Sequence, residues 1–140
     1  MNFLTMLSGK GDLWVIPKSS LINFERMQET VNNNNNNLII NTLTQDTQHC
    51  LITNTIHAKD EVNKVEKGLK ENKPCIIYGM HHYDNTLVRK YQQLKNLGAD
   101  QVLVYGGGMF EWLLLQDIYG DEEFPTTARE LDILKYKPGC

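Results

Sequence analysis

The chain has 140 residues, a formal net charge of −3 and three cysteines. That length suits one domain with a genuine core, and mild acidity without a Lys/Arg stripe argues against nucleic acid as a partner. No apolar run reaches the length of a membrane span, and the start, MNFLTMLSGKGD, is broken by glycine too early for a secretory signal, so no membrane association and an intracellular, cytoplasmic location are expected.

In chain order, Leu13, Trp14, Val15 and Ile16 form a candidate first strand, stopped by Pro17. Ser19 or Ser20 offers an N-cap for a short helix carrying Leu21, Ile22, Phe24 and Met27 to about Thr30. The asparagine run 32–37 has no apolar area to offset its ordering entropy and reads as a surface loop. It is expected at the end of the sheet opposite the loop after Tyr78. Leu38, Ile39 and Ile40 make the next strand. Residues 58–71, AKDEVNKVEKGLKE, place Val62, Val65 and Leu69 at helical spacing among charges and predict a surface helix, ended by Asn72, Lys73 and Pro74.

Residues 74–112 are the most informative stretch. Cys75, Ile76, Ile77 and Tyr78 form an apolar strand, and a six-residue loop follows: Gly79, Met80, His81, His82, Tyr83 and Asp84. Leu87, Tyr91, Leu94 and Leu97 then set a helical period, and residues 102–105 make the next strand. Gly106, Gly107 and Gly108 turn the chain into a last helix through Tyr119; with Met109, Phe110 and Glu111 next, this is not a dinucleotide fingerprint. Trp112 is expected in the core beneath that helix. Strand, loop, helix and strand in this order predict an α/β fold, a central and mainly parallel sheet flanked by helices. The loop 79–84 is where binding or chemistry is expected.

These residues resemble the C-terminal half of a rhodanese domain, strongly over 74–112 and more weakly over about 19–125. The resemblance implies a rhodanese-like three-layer fold in a single domain, 1–140, with 126–140 as an additional C-terminal segment. In active rhodanese members a cysteine follows the aromatic at the strand end, and an arginine often follows five residues later; here those positions hold Gly79 and Asp84. Where the family carries an aspartate and then an arginine after an earlier strand, this chain has Asn41 and Leu43. The resemblance therefore implies a domain without its catalytic cysteine, similar to rhodanese-like proteins encoded by large DNA viruses, for which a virion location would apply.

A loop between a parallel strand and a helix N-terminus turns N–H groups inward under the positive end of the helix dipole. Such a cradle lowers a cysteine pKa, yet Gly79 supplies no thiol and Arg89 belongs to the helix. His81, His82 or Asp84 as substitute nucleophiles define the alternative reading, a divergent sulfurtransferase or phosphatase. Against it, a carboxylate about 4 Å from a bound anion is repelled by roughly 4 kcal/mol at an effective dielectric near 20. Asp84 is instead expected to cap the helix, accepting the N–H of Thr86 or Leu87 and filling the cradle from within.

No cofactor or metal is expected. His81 and His82 would need Asp84, His57 or Cys50 beside them to hold an ion; exposed loop histidines are the simpler reading. Cys50, Cys75 and Cys140 match no zinc or redox spacing, and Cys75 reads as a small buried hydrophobe. Thr127 and Glu130 have capping-box spacing ahead of Leu131, Ile133 and Leu134. Leu113, Leu114 and Leu115 cover more than one helical face, so either segment 126–136 or a protein partner must lie over them, the intramolecular cover being more economical. The expected role is a catalytically inactive binding, interaction or structural module, with an unknown protein or a second copy as partner.

Overall fold

The apolar residues of the strands alternate between two cores, which sorts the chain into three layers. A computed structural model describes residues 16–33, 36–82 and 84–139. Its elements are β1 (Leu21–Ile22), α1 (Phe24–Asn32), β2 (Leu38–Asn41), β3 (Thr55–Ile56), α2 (Glu61–Lys70), β4 (Cys75–Tyr78), α3 (Thr86–Asn96), β5 (Val102–Tyr105) and α4 (Gly108–Tyr119). The five strands form one sheet in the order β1-β5-β4-β2-β3, every pair parallel. Ile39, Ile76, Tyr78, Leu103 and Tyr105 pack against Met27 and Val31 of α1 and Met109, Trp112 and Leu113 of α4. Leu38, Ile40, Cys75, Ile77, Val102 and Val104 face Val65 of α2 and Leu87, Tyr91 and Leu94 of α3. Covered on both faces, the central strands CIIY and VLVY are apolar throughout and wholly buried. This is the expected α/β architecture, a parallel sheet between helical layers, consistent with a rhodanese-like three-layer fold.

Several boundaries differ from expectation, each for a local reason. Leu21 and Ile22 are not helical; they pair with Val104 and Tyr105 and supply the edge strand beside β5. The helix starts later, capped by Asn23 rather than Ser19 or Ser20, with Asn23 Oδ1 accepting the N–H of Arg26 at 2.9 Å. Of the strand expected at 13–16, residues 13–15 lie outside the described residues, and Ile16 packs against the α2/α3 core. Thr55–Ile56 form a short strand beside β2, and Ile52 makes an isolated bridge to Thr126. Residues 58–60 form a 3-10 turn before α2. Val62 is 71% exposed and Leu97 59%; the inward positions go to Val65, with Leu69 partly buried, and to Gly68, where a Cβ would strike the side chain of Leu38. No described helix is long and apolar enough to cross a membrane.

The C-terminal segment also departs from expectation. Thr127 starts no helix: its hydroxyl accepts the N–H of Leu51 at 3.0 Å and its own N–H donates to Leu51 O at 2.8 Å. Leu131 and Leu134, expected to face inward, are 78% and 63% exposed. Ile133 packs on the core and Tyr136 is fully buried. The segment nonetheless covers α4 intramolecularly, so Leu113 is buried, Leu115 partly buried and Leu114 is left 40% exposed.

Candidate functional site

In a parallel sheet every strand delivers its following loop to the same edge, and a crevice opens where neighbouring loops depart toward opposite faces. After β4 the chain turns to α3, on one face. After β2 and β5 it turns to the other, through Leu43, Leu51 and Ile52 in one case and α4 in the other. The crevice therefore lies at residues 79–85, flanked by Thr42 and the glycine turn. The Asn-rich run enters β2 from the far end of the sheet, as expected, with residues 34 and 35 outside the described set.

Gly79 is buried at the bottom of this crevice. A Cβ placed on it would stand 2.5 Å from Asp84 Oδ2 and 2.7 Å from Thr42 Oγ1, so the volume that a nucleophile's side chain requires is already filled. The filling group is fixed by hydrogen bonds. Asp84 Oδ2 accepts the N–H of Met80 at 3.1 Å, while Oδ1 accepts the N–H of Thr86 at 3.0 Å and its hydroxyl at 2.6 Å. Leu87 N–H goes to the backbone carbonyl of Asp84 at 3.2 Å. Asp84 thus caps α3 from one residue ahead of Asn85, whose side chain makes no cap hydrogen bond. Thr42 closes the other wall, its N–H donating to Tyr78 O at 3.0 Å and its hydroxyl oxygen lying 2.7 Å from Thr86 Oγ1.

The glycine turn clamps the loop from the second side. Met109 N–H donates to Gly79 O and Phe110 N–H to Met80 O, both at 2.9 Å. The first donors of α4 are thus spent on the loop backbone. Gly108 makes this approach feasible: its φ is +67°, and a Cβ there would lie 2.7 Å from Gly79 O. Tyr105 hydroxyl donates to Glu111 Oε1 at 2.6 Å, and burial together with that carboxylate pushes the phenol pKa far upward.

Met80 packs on the core, His81 is half-buried and His82 exposed, and Tyr83 lies outside the described residues. Among the described residues no three His, Cys, Asp or Glu side chains are arranged to hold a metal. Cys50 is buried, with Sγ against Ala128 O at 3.3 Å, and His57 Nδ1 accepts the N–H of Lys59. Cys75 is buried on the α2/α3 side, where desolvation raises its thiol to about 11.

Two features behind the loop were missed in the sequence. Asn41, expected only as the place of a lost charge, forms a buried reciprocal amide pair with Gln48: Gln48 Nε2 donates to Asn41 Oδ1 at 2.7 Å, and Asn41 Nδ2 to Gln48 Oε1 at 3.2 Å. The pair also takes Leu43 N–H, Ala58 N–H and Ile56 O. Tyr78 hydroxyl accepts the N–H of Ile52 at 3.0 Å and lies 2.9 Å from Thr55 Oγ1. Isolated polar residues in a segment expected as strand and loop were the only available signal.

No family model and no curated relative matches the chain. Among solved structures, it is similar to the Alr3790 protein from Anabaena sp., with a TM-score of 0.56 and 17% identity over 80% of this chain and 83% of that one. At that identity the likeness concerns the fold.

Proposed function

We propose that this chain is a catalytically inactive, rhodanese-like domain that serves as a binding or interaction module. The observation that carries the reading is the occupation of the crevice: Asp84 Oδ2 sits where a side chain on Gly79 would have to stand. Sulfur or phosphoryl transfer through such a loop needs a nucleophile and room for an incoming anion, and here a tethered carboxylate takes both the space and the donors. Asp84 itself is a poor substitute, because three donors already stabilise its charge. The test is to assay the purified protein for thiosulfate sulfurtransferase and aryl phosphatase turnover. Absence of turnover is expected; turnover abolished by His81→Ala, His82→Ala or Asp84→Asn would overturn the reading.

A further inference from the structure

Two apolar side chains that the helical patterns place inward stand instead at the surface of one groove. Val62 of α2 and Leu97, which follows α3, are 71% and 59% exposed, and both line a groove of about 570 Å³ between the two helices. Val65 and Leu94, both buried, and the partly buried Leu69 line it as well. Glu66 and Gln93 give it a polar rim. At the start of α2, Glu61 Oε2 accepts from Lys90 Nζ of α3 at 2.5 Å, which ties the two walls together. An apolar lining, a polar rim and fixed walls are what an amphipathic segment needs in order to dock.

The chain itself carries such a segment. Residues 1–15 lie outside the described residues. Ile16, the first of the described residues, packs on the same core as Val65, Leu69 and Leu94, so the chain joins the fold on the α2/α3 side of the sheet. In the sequence ahead of it, Phe3, Met6 and Leu7 stand at spacings of three and four, and residues 8–12, SGKGD, follow as a polar stretch. Residues 8–15 span up to about 26 Å when extended. The ten residues of α2 measure about 15 Å, so this tether is longer than the groove wall that it has to follow.

We propose that Phe3, Met6 and Leu7 of the same chain seat in this groove and cover Val62 and Leu97. This contact is independent of the crevice at Gly79 and lies beyond the interaction-module reading. Disulfide trapping in the full chain tests it, with Cys140→Ser removing the terminal thiol while Cys50 and Cys75 are buried. Met6→Cys is paired with Val62→Cys, with Leu97→Cys or with Ile118→Cys, the last position being exposed on α4, across the sheet. In dilute protein under oxidised glutathione, both groove pairs should close within one chain about tenfold faster or more than the α4 pair. Equal rates would overturn the proposal, and so would closure between two chains, which gives the groove to a second copy. Dye binding supplies an independent measurement. Phe3→Ser/Met6→Ser/Leu7→Ser should raise anilinonaphthalenesulfonate fluorescence about threefold, and adding Val62→Lys/Leu97→Glu should abolish the rise. An unchanged signal, or a rise that survives the groove substitutions, would count equally against it.

Discussion

Asp84 Oδ2 lies 2.5 Å from the point at which a Cβ on Gly79 would stand. Glycine at one position and aspartate five residues on are therefore one arrangement. Introducing a thiol alone should not give a reactive one. In Gly79→Cys the carboxylate competes for the cradle and opposes thiolate formation. In Gly79→Cys/Asp84→Ala the freed Met80 and Thr86 donors should lower the thiol pKa by about one unit or more relative to the single variant. Iodoacetamide alkylation rates across pH read this directly, and a single variant already as reactive as the double would refute the coupling.

Two buried tyrosines predict opposite outcomes for the same chemical change. Tyr78→Phe removes the acceptor for Ile52 N–H and the partner of Thr55 Oγ1, leaving a buried donor unsatisfied at a cost of about 1–3 kcal/mol. Urea unfolding should show the loss as a lower midpoint with unchanged slope.

Tyr136 hydroxyl is buried with no hydrogen-bond partner among the described residues. Tyr136→Phe should accordingly be neutral or slightly stabilising, within about 0.5 kcal/mol. A loss as large as that of Tyr78→Phe, in the same assay, would mean that the hydroxyl is satisfied after all.

The C-terminal segment should loosen at acid pH. Glu130 accepts from Lys135 at 2.5 Å and from Asp132 N–H at 3.0 Å, with His49 at 3.1 Å, and the Lys135 bond foremost holds its carboxyl down at about 2, against an ordinary 4.5. A carboxyl depressed in the folded state contributes its stability in full above its unfolded pKa and loses it as pH falls toward the folded value. Stability attributable to Glu130 should therefore decline from about pH 4.5 to pH 2 and be absent from Glu130→Gln. Denaturation midpoints of the two proteins should converge over that window; a constant offset would contradict the assignment.

The buried amide pair makes a stronger prediction. Asn41→Ala removes one of the partners of the buried Gln48 amide and orphans the buried N–H of Leu43, and should cost about 2–4 kcal/mol. Amide exchange at Leu43 and Ala58 should accelerate together, since Gln48 joins them through Asn41 and its own Oε1.

Legibility followed locality. Cys75–Tyr78 and Val102–Tyr105 were plain because a strand covered on both faces must be apolar at every position. Asp84 was legible as the plug because capping spans two residues. Leu21 and Ile22 were read as helical because their strand exists only by pairing with β5, some eighty residues away in the sequence. Thr127 failed for the same reason, its hydroxyl serving Leu51 rather than a helix of its own.

By itself the sequence determined the layer order, the parallel sheet and the absence of a thiol after Tyr78, since each depends on residue type and short-range period. Only the tertiary structure decided that Thr42 joins Asp84 in taking the place that a side chain on Gly79 would need, and that Asn41 and Gln48 pair. Those outcomes depend on which distant residues the sheet brings within a few ångströms, a quantity that no local pattern encodes.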